Sequence, residues 1–131
     1  MTSDSHKPLV LVIDDNEMNL KLMEGVITYA GYRLVKAQSA EEGLAKADEI
    51  QADIVLMDIQ LPGMDGYQAT QALRKNDDYK DIPILAISGY AMDQNKEKLF
   101  SAGFSGYVQK PIEVQNVLKT LKKYLDKDRD E

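Results

Sequence analysis

Short apolar runs alternate with longer stretches of helical period along this chain, the signature of βα units around a parallel sheet. Four of the runs end on charged or hydroxyl-bearing residues. Leu9–Ile13 ends at Asp14 and Asp15, and residues 54–57 end at Asp58. Residues 82–87 end at Ser88, and residues 107–109 at Lys110, which Pro111 follows. If these runs are parallel strands of one sheet, their carboxyl ends share one edge. Three carboxylates, a hydroxyl and an ammonium then meet in a single crevice.

The rest of the chain fits such a sheet. Leu9–Ile13 is continuously apolar, as a central strand covered on both faces requires. Over residues 17–30, Leu22, Met23, Val26, Ile27 and Ala30 recur at helical spacing, and Gly31 stops the helix. The more polar Arg33–Ala37 suits a sheet edge. Ser39 and Glu42 form a capping box for a helix to about Ile50, with Ala40, Gly43, Leu44, Ala47 and Ile50 inward. A strand over 53–58 and a Pro/Gly turn over 61–65 follow. Asp65 with Gln68 caps a third helix, to about Asn76, that buries Ala69, Ala72 and Leu73. The fourth strand spans 82–88, and a weakly amphipathic helix over 93–102 has Leu99 and Ala102 as its anchors before Gly103. Residues 105–109 make the fifth strand. The last helix has the cleanest period: Val114, Val117, Leu118, Leu121 and Leu125. The expected fold is α/β, (βα)5 and flavodoxin-like: a doubly wound, five-stranded parallel sheet of order 2-1-3-4-5. That order sets the first and third strands side by side at the switch point, where ligands of open parallel sheets bind.

A chain of 131 residues suffices for one domain with its own core. The expected division is a disordered leader over 1–7, a domain over 8–126 and a charged tail over 127–131. Without cysteine there is no disulfide, thiolate metal site or thiol nucleophile. A net charge of −6 argues against binding to nucleic acid, whose affinity rests on clustered Lys and Arg. No apolar stretch approaches the ~20 residues that span a bilayer, and the polar leader lacks the apolar centre of a secretion signal. A soluble cytoplasmic protein is expected. His6, the sole histidine, lies in the leader and reads as a tail residue rather than a ligand or base.

Each polar residue has an ordinary structural explanation when taken alone. Asp14 or Asp15 can cap the first helix, Asp58 can open a turn, Ser88 can bond locally, and Lys110 can be solvated. Their joint placement is what points to chemistry. Three carboxylates within a few ångströms cannot all stay ionised without a proton or a cation. Oxygen ligands without Cys or a nearby His favour a hard ion such as Mg²⁺, which keeps several waters and often takes a phosphate oxygen. Lys110 and Ser88 can hold further oxygens of an anion, and an aspartate can attack phosphorus to form an acyl phosphate. The protein's share of that chemistry is alignment and charge neutralisation.

At this point the residues match a family. The chain resembles the receiver domain of two-component response regulators over residues 9–125. The matching segments are Val10-Leu11-Val12-Ile13-Asp14-Asp15-Asn16, Val55-Leu56-Met57-Asp58-Ile59-Gln60-Leu61-Pro62-Gly63-Met64-Asp65-Gly66, Ala86-Ile87-Ser88-Gly89 and Gly106-Tyr107-Val108-Gln109-Lys110-Pro111. The resemblance implies that Asp58 is the phosphoacceptor and that Asp15 ligates Mg²⁺ directly, with Mn²⁺ as a substitute. Asp14 would act mainly through water, and the Gln60 backbone carbonyl would complete the ligands. Lys110, followed by a cis bond to Pro111, would contact the phosphoryl group. Ser88 would be the switch hydroxyl, where Thr is commoner in the family; Ser lacks the methyl that restricts the rotamer. Tyr107 would be the switch aromatic, with core filling as its plain alternative. Gln60 and Tyr90, each two positions beyond Asp58 and Ser88, would tune the loss of the phosphoryl group. The implied partners are a histidine kinase or histidine phosphotransfer protein and a downstream protein target that reads the surface of the fourth helix, fifth strand and fifth helix. Neither nucleic acid nor membrane is expected, and the chain would be a monomer or weak dimer. It would not be an enzyme beyond its own phosphorylation and slow autodephosphorylation.

Rival readings lie outside and inside the family. A haloacid dehalogenase-like phosphatase also uses a strand-end aspartate and Mg²⁺, but usually has a second acid where this chain has Gln60, and the chain has no room for a cap domain. A flavin carrier shares the sheet order but wants a Ser/Thr/Gly-rich phosphate loop where this chain has Asp-Asp-Asn. Within the family, Asp14-Asp15-Asn16 with Asn19 is similar to receivers of hybrid histidine kinases. Met1, the short leader and the charged tail favour instead a free-standing, single-domain DivK-like regulator without a DNA-binding output.

Overall fold

Three strands buried along their whole length need cover on both faces, and the helices supply it. The computed structural model describes residues 7–89 and 92–125, with side chains outside 92–95. The order of elements is β1 (Leu9–Ile13), α1 (Glu17–Tyr29), β2 (Arg33–Ala37), α2 (Ala40–Glu49), β3 (Ile54–Asp58), α3 (Gly66–Arg74), β4 (Ile84–Ser88), α4 (Met92–Ala102), β5 (Gly106–Gln109) and α5 (Val114–Leu125). A single 3-10 turn, Asp77–Tyr79, precedes β4. The strands form one parallel sheet of order β2-β1-β3-β4-β5, as expected.

Alternation along each strand divides the core in two. Leu11, Ile13, Val55, Met57, Ile84 and Ala86 face α2, α3 and α4 through Ala40, Ala47, Ala69, Leu73 and Leu99. Val10, Val12, Ile54, Leu56, Leu85 and Ile87 face α1 and α5 through Leu20, Met23, Val26, Ile27, Val117 and Leu121. Register aligns the strand ends. Ile13 pairs with Met57, so Asp14 falls one step beyond β1 beside Asp58. Ser88 pairs with Gln109, which sets Lys110 one step beyond β5.

The departures from expectation have local causes. The third strand starts at Ile54 because Asp53 instead grips the start of β1, its carboxylate accepting the Leu9 N–H at 2.7 Å. The fourth starts at Ile84 because Pro83 has no N–H to enter the ladder. Asp65 and Gln68 complete their capping box. Ser39 makes only half of one: its hydroxyl accepts the Glu42 N–H, but the Glu42 carboxylate accepts the Gln38 N–H instead. Leu22 and Val114, expected inward, lie exposed along the rim of a groove between α1 and α5. Each sits at the edge of its helix's apolar stripe, where the partner helix does not reach. The expected leader over residues 1–7 is described only at Lys7, and the tail over 127–131 lies outside the described residues.

Opposite the strand ends that carry the acids, one cation ties several segments together. Arg74, at the end of α3, donates to the carbonyls of Tyr79, Ile82 and Gly103, each at 2.7 Å. Burial holds its pKa below the usual guanidinium value, with Asp81 opposing the shift. Fully buried Tyr79 donates its hydroxyl to the Ala47 carbonyl at 2.9 Å and accepts the Ala52 N–H at 3.3 Å.

Gly66 lets the β3–α3 loop close on Asp58. A Cβ there would stand 2.5 Å from the Asp58 carbonyl oxygen and 2.6 Å from Ile59 Cα. Gly66→Ala is expected to cost about 1–3 kcal/mol in urea unfolding, because backbone must yield. Gly25→Ala in α1, where nothing lies within 4 Å, should instead stabilise, by about 0.5–1 kcal/mol.

Candidate functional site

Asp14 leaves β1 fully buried, its own N–H donating to the Ala37 carbonyl at 3.0 Å. Neither Asp14 nor Asp15 caps α1. Asn16 does, its side-chain oxygen accepting the Asn19 N–H at 3.0 Å. Asp14 is thus released from helix duty, and its carboxylate accepts the Asn16 N–H at 2.9 Å and the Asn19 amide at 3.2 Å. Asp15 is exposed beside it. Asp58, the last residue of β3, is 2% exposed. One of its oxygens accepts the Gln60 N–H at 2.8 Å; the other pairs with Lys110 Nζ at 3.0 Å. Asp14, Asp15 and Asp58 each bring a carboxylate oxygen within 4.8 Å of the others. The structure therefore gathers the three acids and the ammonium.

Ser88 is fully buried at the end of β4, and its carbonyl accepts the Lys110 N–H at 2.7 Å. That bond carries Lys110 to the crevice, and the Lys110–Pro111 peptide is cis. Gln60 is exposed two residues after Asp58. Tyr107 sits apart from the acids: it pairs in register with Ala86, two steps short of Ser88, and packs half-buried against the α2–α4 side of the core. Its edge adjoins a gap lined by Lys96, Phe100 and Tyr124. Tyr90 lies outside the described residues. The role of Asn19 toward Asp14 was the part not read from the sequence. The signal was the three-residue step from Asn16: when one Asn caps with its side chain, the next Asn has its own amide to give elsewhere.

Electrostatics follow from this crowding. The Asp14 pKa is raised to about 6, chiefly by burial and then by the Asp58 charge. The Asn16 N–H, the Asn19 amide and Lys110 oppose the rise. A divalent cation would relieve the same strain, and the residues fit one: three converging carboxylates, oxygen donors only, two of them buried.

Because the folded pKa of Asp14 lies above its reference of 3.8, the native chain binds this proton more tightly than the unfolded one. Stability is therefore lost as pH rises from that reference through about 6. In chelator, Asp14→Asn should stabilise the protein at neutral pH by about 1 kcal/mol, the gain vanishing below about pH 4. Urea midpoints at the two pH values check this.

Comparison with known proteins agrees with the geometry. Residues 10–122 match the family model of the response regulator receiver domain. The polar-differentiation response regulator DivK of Brucella anthropi is 36% identical over 116 residues, 88% of this chain and 94% of that protein. The chemotaxis protein CheY4 of Vibrio cholerae superposes with a TM-score of 0.87 at 29% identity, over 91% of this chain and 99% of that one. The receiver domain of the sensor histidine kinase PA1611 from Pseudomonas aeruginosa, solved with a magnesium ion coordinated in its active-site cleft, gives 0.83 at 27% identity, over 92% and 98%. With its five-stranded sheet and its acidic crevice at the strand ends, this chain belongs to the response regulator receiver domain family.

Proposed function

We propose that the chain is a phosphoacceptor switch of a two-component phosphorelay, with Asp58 as the acceptor. The observation that carries this reading is the setting of Asp58: a nearly buried carboxylate with two further acids within 4.8 Å and Lys110 on one oxygen. Asp58 attacks the phosphorus of a phosphohistidine on a kinase or phosphotransfer protein. The P–N bond breaks, the imidazole leaves, and an acyl phosphate forms. Asp14, Asp15, Asp58 and the Gln60 carbonyl would hold Mg²⁺, or Mn²⁺ in its place, and the ion would supply charge neutralisation at the phosphoryl oxygens. The magnesium in the cleft of the PA1611 receiver supports that choice.

Lys110 exchanges its Asp58 partner for a phosphoryl oxygen, and Ser88 donates its hydroxyl to another. Tyr107 follows Ser88 inward and alters the α4–β5–α5 surface, where a protein target reads the state. The similarity to DivK favours the single-domain kind of regulator, working in the cytoplasm through protein contacts rather than DNA.

With acetyl phosphate and Mg²⁺, intact-mass measurement should show one phosphoryl group on the wild type and none on Asp58→Asn; labelling of the variant would refute the assignment. Tyr90→Ala should shorten the phosphoryl lifetime, and a decay as slow as wild type would remove Tyr90 from a rate-tuning role.

A further inference from the structure

We propose that Asn19 is a positioning residue for the cation site, acting through Asp14; this rests on the metal-dependent reading above. Asn19 occupies the first turn of α1 and is half-buried, facing an aspartate with no exposed surface. Its backbone N–H serves the Asn16 cap at 3.0 Å. Its side-chain amide therefore contributes nothing to the cap and turns instead to Asp14 Oδ2 at 3.2 Å. The other oxygen, Oδ1, accepts the Asn16 N–H at 2.9 Å. Both Asp14 oxygens are thus pinned, each by one neutral donor, and the plane of the carboxylate is fixed.

The choice of donor matters. An ionised carboxylate only accepts, so the amide nitrogen must face it. A neutral amide satisfies the carboxylate oxygen without bringing a positive charge to compete with a bound cation. Lysine at this position would do the first and defeat the second. Each pinned oxygen keeps a second lone pair, so orientation is gained without closing the carboxylate to a bound ion or its water. Asn16 and Asn19 accordingly form one device: a backbone N–H and a side-chain amide, three residues apart, bracketing a single acid.

The test is a double-mutant cycle read as Mg²⁺ affinity of the unphosphorylated full chain, from backbone amide shifts during MgCl₂ titration. Asn19→Ala keeps the Asn16 cap, which uses only the backbone N–H of residue 19. It should weaken Mg²⁺ binding about tenfold in the wild-type background, the scale of a lost outer-shell partner. In the Asp14→Asn background the same change should cost less than about twofold, because the group it acts through is gone. Equal losses in both backgrounds, or unchanged affinity with only a lowered unfolding midpoint, would overturn the inference while leaving the metal site intact. Failure of the wild type to bind Mg²⁺ would overturn the metal-dependent reading itself.

Discussion

Like charges brought together at the ends of two neighbouring strands are the constraint on which this structure turns. With carboxylate oxygens within 4.8 Å, each ionised pair costs roughly 3 kcal/mol or more at an effective dielectric of about 20. A single hydrogen bond returns only about 1 kcal/mol, so no one partner can offset it. The chain distributes the relief. Asp14 takes an N–H from Asn16 and an amide from Asn19, while Asp58 takes an N–H from Gln60 and the ammonium of Lys110. What stays unrelieved is expressed in the raised pKa of Asp14. Under the proposed function, a cation and phosphoryl oxygens would complete the charge balance that the fold leaves open.

The sheet exists largely to enforce that proximity. β1, β3 and β4 are buried along their whole length, so their positions are set by two apolar layers and not by the acids. Sliding one strand by a residue would exchange its two faces and ruin both layers. Register is therefore held by the core, and the charged ends have no choice but to meet.

This division explains what the sequence made legible. Strand ends, sheet order and the gathering of Asp14, Asp15, Asp58 and Lys110 all follow from apolar runs whose burial admits one arrangement. Edges and rims were harder. Leu22 and Val114 satisfy a helical period, yet period alone does not say how wide a stripe the neighbouring helix covers. Glu42 satisfies a capping spacing, yet one carboxylate oxygen accepts the Gln38 N–H and the other pairs with Lys46, a partner that the spacing alone does not show. Likewise the pattern Asp14-Asp15-Asn16 does not announce which residue caps α1. Asn16 wins because Asp14 is already drawn into the crevice, with its N–H on Ala37 and its carboxylate buried.

Arg74 gives the far side of the molecule a different character. Its guanidinium fastens the carbonyl of Gly103, immediately after α4, to the carbonyls of Tyr79 and Ile82 ahead of β4. The terminal end of α4 is thereby moored to α3, and Leu99 and Ala102 anchor the same end. Under the proposed switch, reorientation of α4 would be a swing about that fulcrum, small near Gly103 and largest at Met92. A modest displacement beside the crevice would be converted into an arc across the outer face of the protein, with the mooring as its fixed point.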